Sequence, residues 1–158
     1  MTPPAWADVA EDLATAVAEA GRAAAKAATL GETAGTARED RELAIGKHLH
    51  DAYSAAEKAL ERLVELTDGS VPAGRSFHRD LIRRAAHPLD GVRPAIISAE
   101  TAEAMEDLLS FRHVFRHAYG AFRYARAAPN VALAAAAIPR LRDEVTAFAA
   151  GLGLAPGA

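Results

Sequence analysis

The sequence predicts an all-α fold, an antiparallel bundle of about four to five helices forming one domain over residues 1–158. Three observations point there. Apolar residues make up 51% of the chain and many are alanine, the strongest intrinsic helix former, while aromatics are only 6%. Apolar positions recur at helical spacing, and no stretch alternates apolar and polar residues as a half-buried strand does. Glycine and proline clusters cut the chain into segments of helix length.

Taken in order, the first helix runs from about Ala5 to Leu30, with Trp6, Val9, Leu13 and Val17 on one stripe. Pro3 and Pro4 suit its start and Gly31 its stop, and the GETAG segment reads as a turn. A second helix spans about Arg38 to Leu66, burying Leu49, Tyr53, Ala56, Leu60 and Leu63. TDGSVPAGR breaks it, a short helix follows around Phe77–Ala86, and HPLDGVRP forms a loop. Ser98 reads as the N-cap of a long fourth helix with Glu100 and Glu103 in its first turn. A last helix covers about Asn130 to Gly151, bent or divided at Pro139.

Composition narrows the function classes. The absence of cysteine removes disulfide frameworks, zinc fingers and thiol nucleophiles. MTPPAWADVAEDL has no basic region ahead of its apolar residues and does not read as a secretory signal. The alanine-rich stretches are interrupted by charge before they reach membrane-spanning length, so the expected location is cytoplasmic, with no membrane partner. A net charge of −3 argues against broad electrostatic capture of nucleic acid, so any RNA contact must come from a local patch.

That patch is legible in SFRHVFRHAYGAFRYAR, within the expected fourth helix. With Arg112 set at zero, Leu108, Phe111, Phe115, Ala118 and Phe122 fall between about −40° and −120°, a continuous core stripe. Arg116, His113 and His117 fall at about 40°, 100° and 140°, away from the core, and Tyr119 near −20°, at the edge between faces. From Phe111 to Arg126 there are four arginines and no acid. The structural alternative is that acids followed by arginines simply complement a helix dipole. Histidine, however, exchanges protons near neutrality, and arginine offers a planar fork to phosphate. Cleavage of RNA by its own 2′-hydroxyl needs a base, an acid and a cation for the phosphorane charge. One helix cannot flank a phosphate with both proton-transfer groups; two copies about a twofold axis supply two arginines and two His117 side chains.

The run from Arg112 to Tyr119 is an R-x4-H-x-Y motif, and it resembles the signature of HepT-like members of the HEPN superfamily. SFHRDLIRRA, GVRPAIIS and ETAEAMEDLLSFRHVFRHAYG look like the stretch preceding the motif, so the resemblance covers roughly Arg38 to Gly120. It implies a metal-independent, dimeric endoribonuclease toxin of a type II/VII-like toxin–antitoxin pair, with Arg112 and His117 catalytic. It also implies a minimal nucleotidyltransferase antitoxin that moves AMP from ATP to Tyr119. His113, Arg116 and Arg123 are candidate substrate-binding residues beside it; no metal ligand and no cofactor are expected.

Other readings stay open at this point. The chain is alternatively a non-catalytic accessory subunit that docks on a nucleotidyltransferase; separately, Tyr119 alternatively packs its ring on the core and leaves its hydroxyl in water. A third reading is a metal-binding bundle through His113 and His117, for which the helix offers no third ligand. His48 and His50 point apart on the second helix, His78 and Arg79 read as packing or partner contacts, and His87 as a loop residue.

Overall fold

A computed structural model describes residues 4–117 and 122–156, and among them five α-helices and no β-strand form. They are α1 (Pro4–Ala28), α2 (Gly35–Asp68), α3 (Phe77–Ala86), α4 (Ala99–Arg116) and α5 (Tyr124–Gly151). The predicted helical bundle is therefore what folds. No helix among the described residues is long and apolar enough to cross a membrane.

α1 buries Trp6, Val9, Leu13, Ala16, Ala20 and Ala23, a stripe of helical period in which Ala16 takes the buried place expected of Val17, itself only packed at the core's edge. A 3-10 turn at Leu30–Glu32 reverses the chain. α2 returns antiparallel to α1: Arg62 near its end bonds Asp12 near the start of α1, and Arg41 near its start bonds Thr29 at the far end. All five expected positions of α2, from Leu49 to Leu63, are buried. The helix stops at Gly69, whose φ of 76° is a left-handed C-cap that a side chain would strain.

The GVRP loop is held by one side chain. Arg93 is 5% exposed, makes a two-pronged contact with Asp68 at 2.5 and 2.8 Å, and donates to the carbonyls of Arg84, His87 and Pro94. The end of α2, the end of α3 and the lead into α4 thus share one guanidinium. That bond from Arg93 holds the Asp68 carboxyl below its usual range. Ser98 then caps α4 as expected, its hydroxyl accepting from the Thr101 amide at 3.1 Å.

Two expectations fail at the other end of α4. The helix was expected to run on through Tyr119 and beyond, but it ends at Arg116, with His117 as C-cap. The His117 amide bonds Val114 instead of completing another α-turn, and the imidazole takes up the carbonyl of His113. Gly120, a poor helix former, follows shortly in the sequence. Tyr119, expected at the edge between the faces, lies outside the described residues. Phe122 nevertheless reaches the core stripe, meeting Phe115 edge-on at 5.3 Å. α5, in turn, begins at Tyr124, ahead of Asn130, and runs unbroken through both Pro129 and Pro139. Each proline forfeits a bond to a carbonyl four residues back, at Ala125 and Ala135, and both those residues are exposed to water.

Candidate active site

The last turns of α4 carry most of the motif. Arg112 is half-buried and turned towards α2: its Nε donates to Ser54 Oγ at 3.2 Å, and its guanidinium carbon stands 5.8 Å from the centre of the Tyr53 ring. His113, Arg116 and His117 are exposed. The motif therefore splits across the helix, with the arginine at the seam against α2 and the histidines on the open side.

The two histidines meet. Their ring centres are 4.5 Å apart, tilted by 39°. His117 Nδ1 lies 2.8 Å from the carbonyl oxygen of His113, which can only accept, so Nδ1 carries the proton and the neutral ring presents a bare Nε2 to solvent. Arg123, the remaining arginine candidate of the described residues, is exposed at the N-cap of α5.

Behind Arg112 runs a polar chain that the sequence reading missed. Tyr53, 1% exposed, donates from its hydroxyl to Glu57 Oε2 at 2.7 Å. Glu57 is 7% exposed, and the same oxygen accepts from His78 Nδ1 at 2.6 Å. Burial, with the Glu57 carboxylate adding to it, pushes the Tyr53 hydroxyl far above the usual phenol range, so it remains a donor. Arg112 on α4, Tyr53 and Glu57 on α2, and His78 on α3 are thus one linked series. His78, expected to pack or to contact a partner, is tethered to a buried carboxylate. The available signal was Glu57 itself, a charge one turn after Tyr53 on the buried side of α2, where unpaired acids are rare.

His78 opens onto a cleft of about 600 Å³ between the start of α3 and the end of α4. Arg75, Arg79 and His113 also line it, over apolar ground from Leu109 and Val114. The other histidines sit elsewhere. His48 bonds Glu19 of α1, whereas His50 bonds Asp51 and packs 6.0 Å from Phe115, so the two do point apart. His87 is the C-cap of α3, bonding the Arg83 carbonyl. Among the described residues no three acidic or histidine side chains gather as a metal-ligand set.

No curated protein and no solved structure matches the chain. A protein family described as HepT-like protein matches residues 44–152, a span that begins within α2 and runs through the whole of α5.

Proposed function

The chain belongs to the HepT-like family, and on that premise we propose that it is the ribonuclease toxin of a toxin–antitoxin pair, acting in the cytoplasm. The observation that carries this reading is the ring of His117: exposed, fixed in one tautomer by the His113 carbonyl, and left with a free Nε2 beside Arg116. Such a nitrogen takes the proton from an RNA 2′-hydroxyl as that oxygen attacks the neighbouring phosphorus. The bond to the 5′-oxygen breaks, a second proton-transfer group supplies its proton, and arginine stabilises the phosphorane. The products are a 2′,3′-cyclic phosphate and a free 5′-hydroxyl.

In this reading the active species is a homodimer that brings two copies of Arg112 and His117 to one phosphate. A minimal nucleotidyltransferase antitoxin silences it: the Tyr119 phenol oxygen bonds to the α-phosphorus of ATP, and pyrophosphate leaves. The AMP phosphate then sits next to the arginines that RNA must reach. The purified protein should cut single-stranded RNA in excess EDTA, leave cyclic phosphate ends and spare DNA. Cleavage that stops with EDTA and returns with a divalent ion overturns the mechanism. Light scattering at micromolar concentration tests the dimer, and a monomer that still cleaves removes it.

One observation favours the non-catalytic accessory reading. Arg112 is engaged by Ser54 and Tyr53 within the fold, a use that an inert docking subunit shares. A wild-type protein that binds a nucleotidyltransferase and leaves every RNA intact would select it.

A further inference from the structure

We propose that the cleft between α3 and α4 is a nucleotide-binding subsite for single-stranded RNA, in which Arg75, Arg79 and a Glu57-tethered His78 hold backbone phosphate. The inference rests on the ribonuclease reading above and adds a substrate surface that lies off the motif.

Four features converge on that occupant. The cleft has about 600 Å³, within the roughly 300–1,000 Å³ usual for small-ligand sites. Its charged lining is entirely basic: Arg75, His78, Arg79 and His113, with no carboxylate on the wall. Of the nearby acids, Asp80 accepts from the hydroxyl of Ser76 at the edge of the cleft at 2.6 Å, and Glu106 stands 3.8 Å from Arg83. The ground between these donors is apolar, from Leu109 and the exposed Val114, and the His113 ring stands beside it. A basic rim over an apolar and aromatic surface is what an unstacked nucleotide requires, its phosphate on the rim and its base against the rings. His113 lines the cleft and its ring centre is 4.5 Å from that of His117, so the cleft ends one ring away from the proposed catalytic histidine.

His78 is the built part of the subsite. The carboxylate of Glu57 accepts its Nδ1 proton, and Tyr53 holds that carboxylate from behind. Nε2 is the remaining polar atom of the ring. In the imidazolium form Nε2–H donates to phosphate while Nδ1–H stays on Glu57, so phosphate binding and protonation of His78 reinforce each other. The charged groups around it are Glu57 on α2, Arg75 and Arg79 on its own side of the cleft, and His113 on α4. Glu57 is a positioning residue here and does not touch RNA.

The test separates binding from cleavage. A fluorescein-labelled 2′-O-methyl RNA of mixed sequence cannot be cut, and its anisotropy reads affinity for the intact protein. Charge reversal at Arg75 and Arg79 together should weaken binding by about tenfold or more and flatten its salt dependence by about one to two phosphate contacts. His78→Asn should weaken it several-fold and remove part of the strengthening expected on acidification. Glu57→Gln should show the same loss of pH response, with the His78 ¹⁵N signals shifted between tautomers. Should Glu57→Gln fail to fold, His78→Asn alone carries the pH arm. If wild-type protein binds and cleaves RNA while these variants bind as it does, the subsite is wrong and the ribonuclease reading stands. If wild-type protein neither binds nor cuts RNA, both fall.

Discussion

His117 Nδ1 is hydrogen-bonded to the carbonyl oxygen of His113, one turn earlier on α4, at 2.8 Å. The contact ends the helix and sets the tautomer together, so one bond does structural and chemical duty. His117→Ala should abolish RNA cleavage, a loss of at least the ~10²–10⁴-fold that a general acid or base contributes. Because the ring is exposed, the unfolding midpoint should move by only a few degrees, as expected for about 1 kcal/mol or less. A gel assay and a thermal scan on the same preparation check both halves.

Arg112 should respond differently, since it is built into the seam with α2. Arg112→Ala removes a guanidinium from both Ser54 and the Tyr53 ring, and should cost about 1–2 kcal/mol of stability alongside most of the activity. Ser54→Ala should lower activity only modestly, by letting the arginine wander. Equal stability of Arg112→Ala and wild type in urea would show that the seam is not held this way.

Gly46 is the contact point for the aromatic end of α4. A Cβ there would stand 2.7 Å from Phe115 Cε2 and 3.0 Å from Phe122 Cζ. Gly46→Ala must therefore displace both rings, at a cost of about 1–3 kcal/mol, despite alanine's better helix propensity. Cleavage should fall with it, because Phe115 and Phe122 flank the segment that carries His117. An unchanged urea midpoint would contradict the close packing.

The Arg93–Asp68 pair makes a prediction about acid. Removing one partner of a buried pair leaves the other uncompensated, so Arg93→Ala should destabilise by about 3–5 kcal/mol. Asp68 is held below its ordinary value in the fold, so its contribution is fully present above the unfolded carboxylate range near 3.9 and is lost as pH falls through the lower folded value. Urea midpoints measured from neutrality down into that range should fall more for wild type than for Arg93→Ala, which has no such contribution left to lose.

Tyr119 tests the silencing arm. Tyr119→Phe should keep ribonuclease activity and resist inhibition by the nucleotidyltransferase with ATP, while mass spectrometry of the co-expressed wild-type protein should locate AMP on Tyr119. Modification of Tyr124 instead, or silencing of the Phe variant, would overturn the assignment.

What the sequence revealed followed the strength of the local signal. Strong periodicity placed the stripe of α2 from Leu49 to Leu63, and α3 was legible over Phe77–Ala86 because breakers bound it on both sides. The N-cap at Ser98 followed from the hydroxyl and the acid two residues on. The stop of α4 was missed because its helix formers continue past Arg116 and the decisive event is a side chain capping its own last turn. The early start of α5 was missed because Pro129 reads as a breaker, whereas its forfeited bond falls at exposed Ala125. At the candidate site the exposure of His113 and His117 followed from helical spacing. The partners of Arg112 and His78 lie 58 and 21 residues away in sequence, and only packing brings Ser54 and Glu57 to them.

That dependence on α2 constrains how such a chain diverges. Tyr53 and Glu57 are one turn apart, a rise of about 6 Å, and together they link an arginine on one neighbouring helix to a histidine on another. A single-residue insertion between them would swing Glu57 by about 100° and sever the link at a stroke. Lineages that replace Glu57 should accordingly replace His78 as well, while drift at the solvent face of α2 leaves both untouched. The coupled positions of this fold are expected to be 53, 57, 78 and 112, inherited as a set.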